Sequence, residues 1–589
     1  MRRKRLRWTV VFLTIAAAFL LVASASADVG SGSGPPTSIG TGGAAASVEA
    51  IATQAAIDTL KDGGNAVDAA VAAAGVLGVT EPFSCGVGGG GFMVVRTAGG
   101  LVTTIDGRET APRAMTPTSF WAGNPLAPLP FNDARFSGLS VGVPGTVATW
   151  AEALKRYGTM TLARVLQPGV HVASHGFVVD QTFFDQTQQN VDYFNDIPAT
   201  TALFLDSDGT PRDVGSVFTN AELAATYQRI AHLGPKGFYR GAVADAIVDT
   251  VQDPVISTTA NHTWRPGVME MRDLQAYVAP KRAPTHVNYR GLDVYSMGPP
   301  SSGGSTVGEA LNILEGYQLS SMPRVDALHY YLEASRYSFA DRNAYLADPA
   351  YFDVPLTGLL SEDYADARRA LITTTAAPGA VPPGNPYPFN MGVAAATALQ
   401  SETTTHLTTS DKWGNVVSYT FTIESTGGSG LVVPGFGFLL NNELTDFNYD
   451  STTHPNRVEG GKRPRSSMSP TIVLDHGTPF LALGSPGGST IITTVLQILV
   501  DRLDQGMTLP QAILDPRASQ RNSVNTSAEP AFLASPERAA LEARGHHFVD
   551  GGEIGAATGI EFLPGGGVLA AAEPVRRGGG SAMVEVPAP

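Results

Sequence analysis

The sequence predicts an α+β fold in which strands pair as antiparallel hairpins and helices gather in separate clusters. Three observations carry this. β-Rich runs come in pairs around glycine turns, as at Phe92–Thr97 and Leu101–Asp106 about Gly99-Gly100. Helical periodicity comes in blocks, as in Asn220–His232 followed by Gly241–Val251. Nowhere do strands alternate with helices in the series that a parallel βαβ sheet requires.

The elements follow in order. Ala46–Lys61 has helical spacing, and after the Gly63-Gly64 break Asn65–Val79 continues as an Ala/Val-rich buried helix. The first hairpin comes next, then a helix at Thr146–Tyr157 and the pair named above. Thr306–Leu314 and Val325–Ala347 are helical, the second with acidic and basic residues along one face. The proline-rich stretch Ala376–Tyr387 is the expected linker. Beyond it, Thr405–Ser410 and Val416–Ile423 flank Gly414-Asn415, and Thr471–Asp475 and Pro479–Gly484 flank Gly477. Ile491–Leu503 is a helix and Gly559–Glu573 a terminal hairpin.

The first 27 residues read differently. Arg2, Arg3, Lys4, Arg5 and Arg7 precede an apolar run, Val10–Val22, and Ala25-Ser26-Ala27 offers a small-residue cleavage site. A removable signal peptide is expected, with an uncleaved anchor as the alternative. The run is shorter than the ~20 residues of a spanning helix. Residues 28–47 are rich in Gly, Ser, Pro, Thr and Ala and read as a flexible leader. Removing the signal takes away five of 39 basic residues and none of 53 acidic ones, leaving a net charge of −19. That balance argues against nucleic acid or an anionic membrane as partner. One cysteine, Cys85, excludes an intramolecular disulfide framework.

Several motifs invite readings that their surroundings do not support. Gly86 to Gly91 satisfies G-x-G-x-x-G, but a β-rich run follows where a dinucleotide site needs a helix; close backbone packing explains it better. Gly138-Leu139-Ser140-Val141-Gly142 matches a nucleophile elbow, yet Pro144 follows and no βαβ series surrounds it, so a structural turn is expected. His171 and His175, and His546-His547, have no Glu or Cys at ligand spacing; no metal or other cofactor is expected.

The chemistry lies at Thr403-Thr404-Thr405-His406. Threonines on a strand are ordinary, but this step looks like a self-processing point. A freed Thr404 α-amine would act as base for its own hydroxyl. Around it stand Asp411-Lys412-Trp413-Gly414-Asn415, Thr420-Phe421-Thr422, Asn441-Asn442-Glu443 through Asp446, Arg463-Pro464-Arg465-Ser466-Ser467 and Gly484-Ser485-Pro486-Gly487-Gly488. Upstream come Gly63-Gly64-Asn65-Ala66-Val67-Asp68, Asp106-Gly107-Arg108-Glu109 and Pro299-Pro300-Ser301-Ser302-Gly303-Gly304. In this order, from about Ala46 to the end, they resemble the γ-glutamyltransferase family of N-terminal-nucleophile hydrolases.

The resemblance implies a four-layer αββα sandwich built from two subunits of one precursor, 48–403 and 404–589 after signal and leader. Cleavage would fall between Thr403 and Thr404. Thr404 would be the nucleophile, Thr422 its orienting partner, and the Gly487 and Gly488 amides the oxyanion hole. Arg108, Ser466 and Ser467 would hold the α-carboxylate of a γ-glutamyl group, and Glu443 and Asp446 its α-ammonium. The implied activity is cleavage of γ-glutamyl amides such as glutathione, with transfer to water or an amine. A same-fold acylase for cephalosporin, glutaryl or poly-γ-glutamate amides, and an unprocessed binding protein, are the alternatives.

Two departures stand out. Glu424 replaces the family's usual Asn, placing a third acid in the ammonium pocket. Only 14 residues separate Phe447 from Lys462, too few for a long lid, so an open cleft is expected.

Overall fold

The computed structural model describes residues 36–389 and 404–588. The signal peptide, the first part of the leader and Thr403 lie outside the described residues.

Thirteen strands form one antiparallel sheet: β1 (Thr37–Ser47), β2 (Gly90–Arg96), β3 (Val102–Gly107), β4 (Lys281–Arg282), β5 (Thr285–Tyr289), β6 (Leu292–Ser296), β7 (Thr405–Ser410), β8 (Val416–Thr422), β9 (Thr471–Asp475), β10 (Thr478–Gly484), β11 (Thr558–Phe562), β12 (Val568–Ala572) and β13 (Ser581–Pro587). Their order is β4-β3-β2-β8-β7-β1-β12-β11-β10-β9-β6-β5, with β13 also on β1. Such a long twisted sheet closes upon itself. β7 and β8 therefore pack against β10, and the Ser418 hydroxyl donates to the Leu483 carbonyl at 3.0 Å across the gap.

Strand alternation gives each layer its two faces. Leu407, Val417, Tyr419 and Phe421 point to a helical core that includes α1 (Ala50–Lys61) and α2 (Ala66–Thr80). The opposite helical layer holds α5 (Gly303–Glu315), α6 (Arg324–Tyr345) and α7 (Thr490–Leu503). Two further helices, α3 (Thr146–Tyr157) and α4 (Gln181–Phe194), join the first layer. The result is helix–sheet–sheet–helix, the expected class. All fifteen residues of α2 are buried, so its Ala/Val composition follows from packing on every side. Asn65 and Asp68 form its capping box. Asp411 accepts the Ala66 amide at 2.9 Å, so the 411–415 turn caps a helix rather than serving chemistry.

Two expectations need correction. The leader is not free along its whole length, because Thr37–Ser47 is a strand at the centre of the sheet, paired with β7, β12 and β13. The Ala376–Tyr387 segment is not a loose linker, because α6 holds it. Glu333 accepts the Ala377 amide at 3.0 Å, Asp341 accepts that of Gly384 at 2.6 Å, and Arg336 donates to the Gly379 carbonyl at 2.8 Å. Glu333, Arg336 and Asp341 of this helix are thus buried and engaged.

The glycine run packs tightly, as the sequence suggests. A Cβ on Gly89 would lie 1.9 Å from the Thr422 carbonyl oxygen, and one on Gly91 2.4 Å from that of Thr420. Ser140 is buried and donates to the Arg135 carbonyl at 2.6 Å, a turn and not a nucleophile. Cys85 is buried, as expected.

Candidate active site

The β7–β8 hairpin sets the centre. Its register pairs Thr405 with Phe421, which brings Thr404 opposite Thr422. Their hydroxyls are 3.4 Å apart, and both residues are buried. The Glu424 amide donates to the Thr422 hydroxyl at 2.9 Å, which fixes that side chain. The Thr404 carbonyl accepts from Arg577 at 2.7 Å. That arginine also reaches Ser84 at 2.7 Å and Glu81 at 3.4 Å, tying the C-terminal region to the helical layer.

His406, two residues on, faces away from this centre into the gap between the sheets. It bonds Thr420 at 2.8 Å and Thr408 at 3.1 Å. Burial drives its pKa down to about 3, so it stays neutral and is not a base for Thr404.

A cavity beside Thr404 and Thr422 is lined by Arg108, Glu424, Glu443, Asp446, Ser466, Ser467 and Gly488. Every expected binding residue is therefore in one place. Gly487 lies on the other side of the Gly487–Gly488 peptide, in an adjoining cavity. The two glycines have φ of 129° and 53° at the start of α7. That backbone is accessible to glycine and presents amides at a helix N-terminus, where negative charge is favoured.

Arg108 follows β3 and is buried. Its guanidinium donates to the Pro464 and Arg465 carbonyls, each at 3.0 Å, and pairs with both Glu443 and Asp446. The acids ride a single helical turn, Glu443–Asp446. With the arginine folded onto them, the free volume is about 20 Å³, room for about one water.

Burial raises the pKa of several of these carboxyls. Burial, with Asp446 nearby, raises the Glu424 carboxyl to about 7. Burial also raises Glu109, which follows Arg108, to about 8 and lifts Glu443 well above the carboxylate range. Glu424 takes hydrogen bonds from the Ser425 hydroxyl at 2.5 Å and from the Asn442 side chain. Its φ of 78° is a left-handed conformation in which Asn is far commoner than Glu.

Sequence reasoning missed two arginines. Arg342 of α6 donates to the Ser467 hydroxyl at 2.7 Å and to that of Ser302 at 2.9 Å. Ser302 in turn donates to the Ser466 carbonyl through its amide, at 2.8 Å, and its hydroxyl, at 2.5 Å. Arg577 is the second. Neither has a local motif that would mark it.

Residues 449–461 do not cover the site. Trp121 donates to the Tyr449 carbonyl at 2.7 Å, the Tyr449 ring packs on Phe120, and Gly460 abuts Arg113. None of them lines the Thr404 cavity.

The chain is similar to known proteins over most of its length. The family model described as gamma-glutamyltranspeptidase matches residues 52–583. A glutathione hydrolase proenzyme of Escherichia coli (strain K12) is 39% identical over 491 residues, covering 81% of this chain and 80% of its own. One from Bacillus subtilis (strain 168) is 37% identical over 529 residues, 87% of each. The crystal structure of a cephalosporin acylase from Bacillus halodurans superposes with a TM-score of 0.80 at 28% identity, over 93% of this chain and 96% of that one. The chain belongs to the gamma-glutamyltranspeptidase family.

Proposed function

We propose that this chain is an exported precursor that cuts itself before Thr404 and then hydrolyses and transfers γ-glutamyl groups from amides such as glutathione. The observation that carries the reading is the buried ion-pair cluster beside Thr404. An α-amino acid head group is a zwitterion, and it can enter a split Arg–acid pair charge for charge. Its carboxylate takes Arg108 from Glu443 and Asp446, with the Ser466 and Ser467 hydroxyls beside it, and its ammonium takes the acids. No charge is then left buried and unpaired.

In processing, the Thr404 hydroxyl attacks the Thr403 carbonyl, the acyl group shifts from nitrogen to oxygen, and water hydrolyses the ester. The products are a Thr403 carboxylate and a free Thr404 amine. In turnover the hydroxyl attacks the substrate's γ-carbonyl as its proton passes to that amine. Charge on the tetrahedral oxygen falls to the Gly487 and Gly488 amides. The C–N bond breaks, the departing amine takes the proton, and a γ-glutamyl ester remains. Water or another amine then attacks the ester, and Thr404 regains its proton. Thr422 orients the nucleophile throughout.

The two subunits would be 28–403 and 404–589, with the signal peptide directing them outside the cytoplasm. Among the described residues no helix is long and apolar enough to cross a membrane. The uncovered cleft favours water and larger γ-glutamyl compounds.

A same-fold acylase is the second reading, favoured by the likeness to the cephalosporin acylase. A glutaryl group keeps the carboxylate and lacks the ammonium, so it would leave the acids without their counter-charge. A denaturing gel and two anilides test both. The reading expects two bands of roughly 39 and 19 kDa (at ~104 Da per residue, from 61.4 kDa over 589 residues), a single band for Thr404→Ala, and faster release from γ-glutamyl- than from glutaryl-p-nitroanilide. A preference for the glutaryl compound would select the acylase, and an uncut inactive chain would reject both.

A further inference from the structure

A cavity of about 530 Å³, within the range of ligand sites, opens between α1, the C-terminal end of α2 and the turn before α4. It shares no lining residue with the Thr404 cavity or with the one beside Gly487. Ile51, Ala55, Val76, Val172, Phe177 and Met583 give it mostly apolar walls. Four carboxylates, Glu49, Asp58, Glu81 and Asp180, stand on the same lining, and His171 is the one basic side chain among its described residues.

Two of these acids are engaged as helix caps. Glu49 accepts the Ile51 and Ala52 amides of α1, each at 2.9 Å, and Asp180 accepts the Phe183 amide of α4 at 2.7 Å. Glu81 differs. It is 9% exposed, Ser84 at 3.2 Å and Arg577 at 3.4 Å both reach its Oε2, and among the described residues nothing donates to its Oε1. Burial raises the Glu81 carboxyl, and burial with the charges of Glu81 and Asp180 nearby lifts Glu49 to about 7. An apolar hollow ringed by more negative than positive charge favours a cation with an apolar body. We propose that this cavity is a ligand site for small organic cations, an ammonium on an alkyl or aryl body, and that its occupant acts on Thr404 through Glu81 and Arg577. The ammonium takes Glu81 Oε1, and Phe177 on the same lining adds an aromatic partner.

Arg577 is the link. It donates to the Thr404 carbonyl and to the Ser84 hydroxyl, each at 2.7 Å, while Glu81 holds its charge. A cation on Oε1 shares the Glu81 charge, so Arg577 is held less firmly and the Thr404 carbonyl loses its brace. Because the occupant sits apart from the substrate cavity, it lowers kcat and leaves the donor KM in place. Binding stands apart from the γ-glutamyl reading above; the effect on turnover rests on that reading.

The test titrates the processed enzyme with hexyltrimethylammonium, which has no N–H and cannot accept an acyl group, and with hexan-1-ol as its uncharged counterpart. Calorimetry is expected to show the cation bound at least about tenfold more tightly than the alcohol. Ile51→Trp, which fills the cavity from a half-buried position, should weaken the cation at least about tenfold. Asp180→Asn, which keeps the cap and removes a charge, should weaken it at least about threefold. Equal affinity for cation and alcohol, or an affinity unmoved in both variants, overturns the site. With γ-glutamyl-p-nitroanilide, a saturating cation should lower kcat at least about threefold and move the donor KM less than about twofold. An unchanged kcat overturns the link through Arg577, and a raised KM at constant kcat places the cation in the Thr404 cavity and overturns the proposal. Failure to release p-nitroaniline without any cation would instead overturn the γ-glutamyl reading, and calorimetry would still decide the site.

Discussion

Replacing Glu424 by Gln should remove a pH dependence of substrate choice and leave a flat profile. With its pKa raised to about 7, roughly one-tenth of this carboxyl is ionised at pH 6 and roughly three-quarters at pH 7.5. A substrate α-amine is still mostly protonated in that window. If the Glu424 carboxylate receives the ammonium, kcat/KM for γ-glutamyl-p-nitroanilide relative to the glutaryl compound should rise about eightfold from pH 6 to 7.5. That is about 1.3 kcal/mol of selectivity, since tenfold is 1.4 kcal/mol. The ratio is the right quantity, because both substrates use the Thr404 amine as base and its titration cancels. Glu109, raised to about 8, adds a shallower slope near the upper limit, so the component lost in Glu424→Gln belongs to Glu424. A pH-independent ratio in wild type, or a variant that keeps the full rise, refutes the assignment of this carboxylate to the ammonium.

Three further outcomes follow from the same geometry. Gly89→Ala puts a methyl 1.9 Å from the Thr422 carbonyl oxygen; the backbone must shift, and kcat should fall at least tenfold, with a loss under twofold counting against Thr422 as orienting group. Arg577→Met leaves the Thr404 carbonyl without this donor and Glu81 without its cation. At about 1–3 kcal/mol for a stranded buried group, kcat/KM should drop roughly 10- to 100-fold, with partial recovery in Arg577→Lys; equal loss in both variants would contradict a hydrogen-bonding role. His546 is buried against His329 at 2.9 Å, and burial lowers its pKa to about 3. The unfolded chain therefore binds the proton first as pH falls below 6.5, so this histidine's contribution to stability is present above 6.5 and lost towards pH 3. In His546→Gln the fall of the urea midpoint between pH 6.5 and 4 should be shallower, and an unchanged slope would exclude this group.

The part of the site that follows Thr404 in the chain was legible because its residues come in local motifs. Thr404 and Thr422 face each other through one hairpin whose Gly414-Asn415 turn is visible in the sequence. Glu443 and Asp446 share one helical turn, and Ser466 and Ser467 are adjacent. β1 was not legible, and the reason is physical. Its Gly, Ala, Ser and Thr content is that of a flexible segment, yet the same content is demanded by crowding at the middle of the sheet. A Cβ on Gly40 would sit 2.1 Å from the Val586 carbonyl oxygen, and one on Gly43 would be 2.8 Å from that of Ser410. The prolines of 376–387 mislead in the same way. They suggest a free linker, while Glu333 and Asp341 of α6 take the Ala377 and Gly384 amides and Asn522 takes that of Val381.

Arg342 and Arg577 show where sequence reading ends. Each meets its partner across a long stretch of chain, 125 residues for Arg342 and Ser467, 173 for Arg577 and Thr404, and no spacing rule connects them. Yet they finish what the motifs begin. Arg342 fixes the Ser467 side chain by donating to its hydroxyl oxygen. A threonine at the very start of a strand lacks a strand's worth of backbone bonds before it, and Arg577 supplies one at its carbonyl. In the proposed function the motif residues supply the atoms that react and the charges that bind, and the two unmarked arginines hydrogen-bond to them. Substitutions at the motifs should therefore abolish chemistry, whereas Arg→Lys changes at 342 or 577 should loosen it, because an ammonium keeps the charge but loses the fork that braces two partners at once.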